Sequence, residues 1–141
     1  MTDTETVVIP DLRPGAITRT TLALFAGASG DHNPIHIDID SARASGFDDV
    51  FAHGMLSMAY LGRLLTDRIP QSRIRELSAR FTNITPVLAE PVVSAHVREI
   101  ATVDGEQRAT LDLTVVLADG TQTLTGTAVV ALPESDAKLV S

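Results

Sequence analysis

The chain has no cysteine in its 141 residues, which removes both a disulfide framework and thiolate chemistry. Basic residues are few: 11 Lys and Arg stand against 18 Asp and Glu, for a net charge of −7. They are also scattered, so nothing in the sequence forms the dense positive surface that displaces phosphate counterions, and nucleic acid is excluded as a partner. A ligand with several phosphates stays open, because a few local arginines suffice for it. No apolar run reaches the roughly 18 residues of a membrane span. The opening Met1-Thr2-Asp3-Thr4-Glu5-Thr6 is polar and acidic, the reverse of a secretion signal. There is no internal repeat and no low-complexity segment. What is there, 44% hydrophobic and 21% charged residues, is ordinary globular composition. The expectation is one soluble, cytoplasmic domain over residues 1–141, with a polar, frayed tail from Pro133.

The element pattern falls into two halves. Val7-Val8-Ile9 reads as a short strand and Ile17 to Thr20 as another extended piece. Thr21 then looks like the N-cap of a helix through Ala28, stopped by Gly30 in the left-handed position. Asp38 and Asp40 precede a short helix ended by Gly46, a placement the helix dipole favours. From His53 to about Ile69 runs the longest helix, apolar nearly all round and therefore buried; Pro70 stops it. The second half alternates in steps of two over Leu77–Thr85, Val92–Ala101, Gln107–Leu117 and Thr121–Leu132, with Asp104-Gly105 and Asp119-Gly120 as hairpin signals. Four antiparallel strands following one buried helix make an α+β fold in which the sheet wraps the helix.

The chemistry-bearing residues lie in the first half. Asp31, His32, Asn33 and His36 stand together just past a helix end, with Pro34 forcing a turn. Fully extended, the chain from Asp31 to His36 would span about 17 Å, too far for both side chains to reach one water. A tight turn folds them back onto a common point. Gly54 opens the long helix, where an unpaired backbone N–H and the absence of a Cβ suit a closely approaching carbonyl oxygen.

These residues form a pattern. Ser29-Gly30-Asp31-x-Asn33-Pro34-Ile35-His36, then Asp38, Gly46-Phe47 and Ala52-His53-Gly54-Met55-Leu56 resemble the MaoC-like hydratases and dehydratases of the hot-dog fold, the family of (R)-specific enoyl-CoA hydratases and 3-hydroxyacyl thioester dehydratases. The resemblance covers most of the chain. It implies reversible hydration of a trans-2-enoyl thioester to the (R)-3-hydroxyacyl thioester, with Asp31 and His36 as the catalytic pair and the Gly54 N–H binding the thioester oxygen. Asn33, His53 and Ser57 are the further candidates for substrate binding. It also implies no cofactor and no resident metal, an acyl thioester of CoA or acyl-carrier protein as substrate, and a homodimer, with a heterodimer as the variant. Two departures stand out. Gly62 occupies a helix position where some relatives carry serine, and His32 brings an extra imidazole without an assigned role.

Each residue also has a plainer reading. Asp31 alone would cap a turn, His36 alone would be a satisfied half-buried histidine, His53 an N-cap neighbour, Ser57 packing and His96 structural. A zinc site from Asp31, His32, His36 and His53 carries little weight, because the proline loop makes its geometry improvised. Two other functions compete: a hot-dog thioesterase, which wants a carboxylate on the central helix where none occurs before Asp67, and a non-catalytic acyl-binding subunit, in which the acid–base pair would be lost.

Overall fold

The computed structural model of the protein describes residues 6–133 and 138–140. Its frame is a four-stranded antiparallel sheet built from β2 (Ile74–Phe81), β3 (Val92–Val103), β4 (Glu106–Val116) and β5 (Gln122–Ala131), in the order β2-β5-β4-β3. On β4 the alternation is complete: Ala109, Leu111, Leu113 and Val115 are buried, while the residues between them are half-exposed. Against that inward face lies α3 (Gly54–Thr66), which contributes Leu61, Leu64 and Leu65 to the same core. Burying a leucine is worth about 1.5–3 kcal/mol, so three of them fix the helix on the sheet. Before it come α1 (Arg19–Ser29) and α2 (Ile39–Ala44). A second cluster, Ile17, Leu22, Ala42, Val50, Ala52 and Leu56, packs them onto the front end of α3.

The burial of α3 is one-sided. Leu56, Ser57, Leu61, Leu64 and Leu65 are buried, whereas Met55 and Ala59 are exposed in this single chain. A sequence apolar all round therefore marks a helix with two covered faces only if something else covers the second.

Several boundaries differ from the sequence expectation. The α1 cap is Thr18, not Thr21: the Thr18 hydroxyl accepts from Thr21 N at 3.1 Å. Ile17 alone is paired, donating to Ala89 O and accepting from Leu88 N, so the extended piece ends there and the helix begins at Arg19. Strand β2 starts at Ile74 rather than Leu77, because a bulge between Ile74 and Glu76 interrupts the alternation that would have revealed it. The tail expected to fray carries β6 (Lys138–Val140), paired in parallel with β1 (Thr6–Val8); residues 134–137 and 141 lie outside the described residues.

The two Asp-Gly turns are of different kinds. Asp104 and Gly105 both have positive φ, 51° and 79°, as a two-residue type I′ loop requires. At the second, only Gly120 is left-handed, and Gly120 N donates to Leu117 O. A register shift at Val115/Val116 accompanies it, as in a turn closed by a glycine bulge.

One glycine is required by a close approach. A Cβ on Gly126, in the middle of β5, would sit 2.6 Å from the Ser78 carbonyl oxygen and 3.5 Å from Leu61 Cδ1. Gly126→Ala is therefore expected to destabilise the protein by about 1–3 kcal/mol, read from the urea midpoint. Gly27→Ala, in α1 with open space around it, should gain up to about 1 kcal/mol.

An ion-pair cluster closes the other end of the sheet. Arg75 makes two hydrogen bonds to Glu106, at 2.9 and 2.6 Å, and Arg108 adds a third at 2.7 Å. The Arg75 and Arg108 hydrogen bonds lower the Glu106 carboxyl to about 2. A carboxyl depressed on folding adds stability that is present above its unfolded pKa and is lost as pH falls through the folded one. Glu106→Gln should thus flatten the fall in melting temperature between about pH 4.5 and 2, most clearly at low salt.

Candidate active site

The loop after α1 folds back as the sequence demands. Gly30 takes the left-handed cap position with φ 77°. Asn33 N donates to Asp31 Oδ1 at 3.2 Å, and Asn33 Oδ1 accepts from Ile35 N at 3.3 Å. Asn33 thereby caps a single 3₁₀ turn, Pro34–His36, and its side chain shapes the loop. Asp38 closes the segment by accepting from Asp40 N and from the Ser41 hydroxyl, at 3.0 and 2.9 Å; that hydroxyl first, then the backbone, holds its carboxyl below the usual range.

This turn delivers Asp31 and His36 to one place, and His53 joins them. One donor atom from each of the three lies within 4.8 Å of the others. Asp31 is exposed, His36 is 8% exposed and His53 only 1%. His36 Nδ1 is 2.7 Å from Phe51 O. A carbonyl only accepts, so Nδ1 carries the proton and Nε2 is the nitrogen left for chemistry. His53 Nε2 lies 3.1 Å from Asp31 O, which by the same rule puts its proton on Nε2. The two imidazoles face each other at 4.0 Å between centroids with a 31° tilt, and Phe25 of α1 meets His53 edge-on at 5.0 Å. Burial pushes the His53 imidazole below the ordinary histidine value, with the neighbouring His36 acting in the same direction. His32 is exposed and outside the cluster.

Asp31, His36 and His53 are also the one trio among the described residues able to hold a metal ion. Each imidazole already gives its other nitrogen to a backbone carbonyl, the support metal-bound histidines usually have. Yet His53 Nδ1 is sealed from solvent and has no partner, so an ion from solution would have to reopen the packing around it.

Beside the cluster is a cavity of about 320 Å³ lined by residues that include Phe51, Gly54, Ser57, Phe81, Ile84 and Thr123. Phe51 belongs to both: its carbonyl holds His36 and its residue forms the cavity wall. Ala52 N donates to Thr85 O, which pins this wall to the segment after β2. Gly54 is the first residue of α3, where backbone N–H groups lack helical partners. A Cβ there would lie 3.1 and 3.2 Å from the Phe81 ring. The Ser57 hydroxyl is buried in the same wall with no protein partner. Asp31, Asn33, His36 and His53 are not among the lining residues; Phe51, which holds His36, is the residue that joins the cluster to the cavity. The sequence does not single out Phe51 and Phe81, since a main-chain acceptor leaves no side-chain signature and the alternation runs past Phe81 to Thr85, beyond the end of β2.

The tautomers are directly measurable. Long-range ¹H–¹⁵N correlation spectra of the neutral protein should show His36 protonated on Nδ1 and His53 on Nε2.

The chain resembles known proteins over most of its length. The sequence model of the MaoC like domain matches residues 8–120, from before α1 through β4. An (R)-specific enoyl-CoA hydratase of Aeromonas caviae is 32% identical over 112 residues, 79% of this chain and 84% of that protein. One from Rhodospirillum rubrum is 31% identical over 117 residues, 83% and 81% of the two chains. Among solved structures, the unliganded R-hydratase of Pseudomonas aeruginosa superposes with a TM-score of 0.76 at 28% identity, covering 91% of this chain and 83% of that one. With the wrapped helix, the four-stranded sheet and the family's motif on the same loop, the chain belongs to the MaoC-like domain family and has its hot-dog fold.

Proposed function

We propose that this protein reversibly hydrates trans-2-enoyl thioesters to (R)-3-hydroxyacyl thioesters. The observation that carries the reading is the convergence of Asp31 and His36, with Phe51 shared between His36 and a neighbouring cavity that Gly54 helps to line. Its hydratase relatives at 32% and 31% identity support it.

In the hydration direction, the Asp31 carboxylate and His36 Nε2 hold one water. Its oxygen bonds to C3 as the acid–base pair takes its proton. The C2=C3 electron pair shifts toward C1, leaving an enolate whose oxygen accepts from Gly54 N–H. The pair then returns a proton to C2 on the same face, so addition is syn and the thioester bond stays intact. A positioned acid–base pair contributes on the order of 10²–10⁴-fold, and one preformed oxyanion donor roughly 3–4 kcal/mol. Ser57, with a free hydroxyl in the cavity wall, binds substrate alongside Gly54. The reading takes CoA as the thiol, in line with the named relatives, and a homodimer whose second chain covers the apolar residues Phe81 and Ile84 of the cavity wall and Met55 of α3, each about half exposed.

A thioesterase is disfavoured by the far end of α3. Asp67 caps it there, 3.7 Å from Arg63 and exposed to solvent, away from the cavity. The test is crotonyl-CoA hydration, followed by loss of enoyl-thioester absorbance. Asp31→Asn and His36→Gln should each lower kcat by on the order of 10²–10⁴-fold, with no free thiol released by any form. Equal rates in wild type and Asp31→Asn would overturn the reading.

A further inference from the structure

We propose that His53 is the positioning residue of this site: its Nε2–H holds the Asp31 main chain while its ring face seats His36, so that one buried side chain sets the spacing of the catalytic acid and imidazole. The proposal rests on the hydratase reading of Asp31 and His36.

Three observations support it. First, both contacts come from a single ring, a 3.1 Å hydrogen bond to Asp31 O and a 4.0 Å face contact with His36. Second, that ring has no spare surface. At 1% exposure, with Phe25 and His36 packed against it, it has no face open to a substrate. Third, the residue stands at the N-cap of α3 but makes no side-chain cap hydrogen bond, so the usual reason for a polar residue there does not apply.

The cost of the arrangement points the same way. His53 Nδ1 is buried without a partner, and an unsatisfied buried acceptor is a penalty that packing alone would avoid with an apolar ring. The ring also links segments far apart in sequence: the end of α1, the loop at Asp31 and the start of α3, whose first residue is Gly54. It therefore ties the acid and the imidazole to the helix end that receives the carbonyl. Misplacement of reacting groups by about 1 Å can lower a rate by roughly 100-fold without any loss of substrate contact.

The experiment compares His53→Gln, His53→Asn and His53→Phe with wild type and Asp31→Asn on crotonyl-CoA, with a melting curve for each. Glutamine places an N–H near the level of Nε2, asparagine only near Nδ1, and phenylalanine keeps the ring without a donor. The expected result is a 10–100-fold fall in kcat for Asn and Phe with KM within about twofold, and recovery to within a few-fold of wild type for Gln. Wild-type kcat in the Phe variant, equal losses in Gln and Asn, or a rise in KM at unchanged kcat would each overturn the proposal. Should the Phe variant fail to fold, the Gln and Asn pair decides. Asp31→Asn separates the two readings: full activity there sinks the hydratase assignment, whereas an inactive Asp31→Asn beside a fully active His53→Asn sinks only the role of His53.

Discussion

The position of α3 on the sheet is the constraint from which the site follows. A helix buried along one side has its internal hydrogen bonds complete, so the backbone donors it can offer are those of its first turn. Leu61, Leu64 and Leu65 hold the body of the helix against the sheet, and the second apolar cluster holds its front end against α1 and α2. The first turn is consequently presented at a fixed place. The groups of the proposed reaction lie around it: the Gly54 N–H, the Ser57 hydroxyl, and the loop that carries Asp31 and His36.

That loop owes its shape to its own side chains. Its turns are closed by side chains acting on nearby main chain, Asp31 and Asn33 within the loop and Asp38 just after it. Such Asx-type bonds compete with helix formation, which is why the chain does not simply continue α1. Asp31 Oδ1 is thus taken up by Asn33 N, and in the proposed reaction the other oxygen faces the water. His36 Nδ1 is held by Phe51 O, which leaves Nε2 for the same proposed role.

Much of this was legible in the sequence. Strict alternation on β4, the positive-φ demand of Asp104-Gly105, and the glycine after α1 all follow from local rules that tertiary packing did not override. Asp31 and His36 could be singled out because proline between them forces the chain to turn. What could not be read depended on partners distant in sequence or without side-chain identity. Thr18 and Thr21 are equally good caps locally, and the choice is made by Ile17 being drawn into the core. The start of β2 is hidden by a bulge. The sealing of His53 against Phe25 and His36 needs the fold itself, and an N-cap residue gives no hint of it.

Both imidazoles lean on main-chain oxygens, of Phe51 and of Asp31. An amide carbonyl is supplied by every amino acid, so the protonation pattern of the pair belongs to the path of the backbone and not to the identity of residues 31 and 51. Drift at position 51 therefore keeps the acceptor for His36 Nδ1 while changing the cavity wall and the edge-on ring contact of Phe51 with His36, 5.0 Å between centroids. The proton's place on the imidazole is held by the backbone, and the seat of the ring by the side chain.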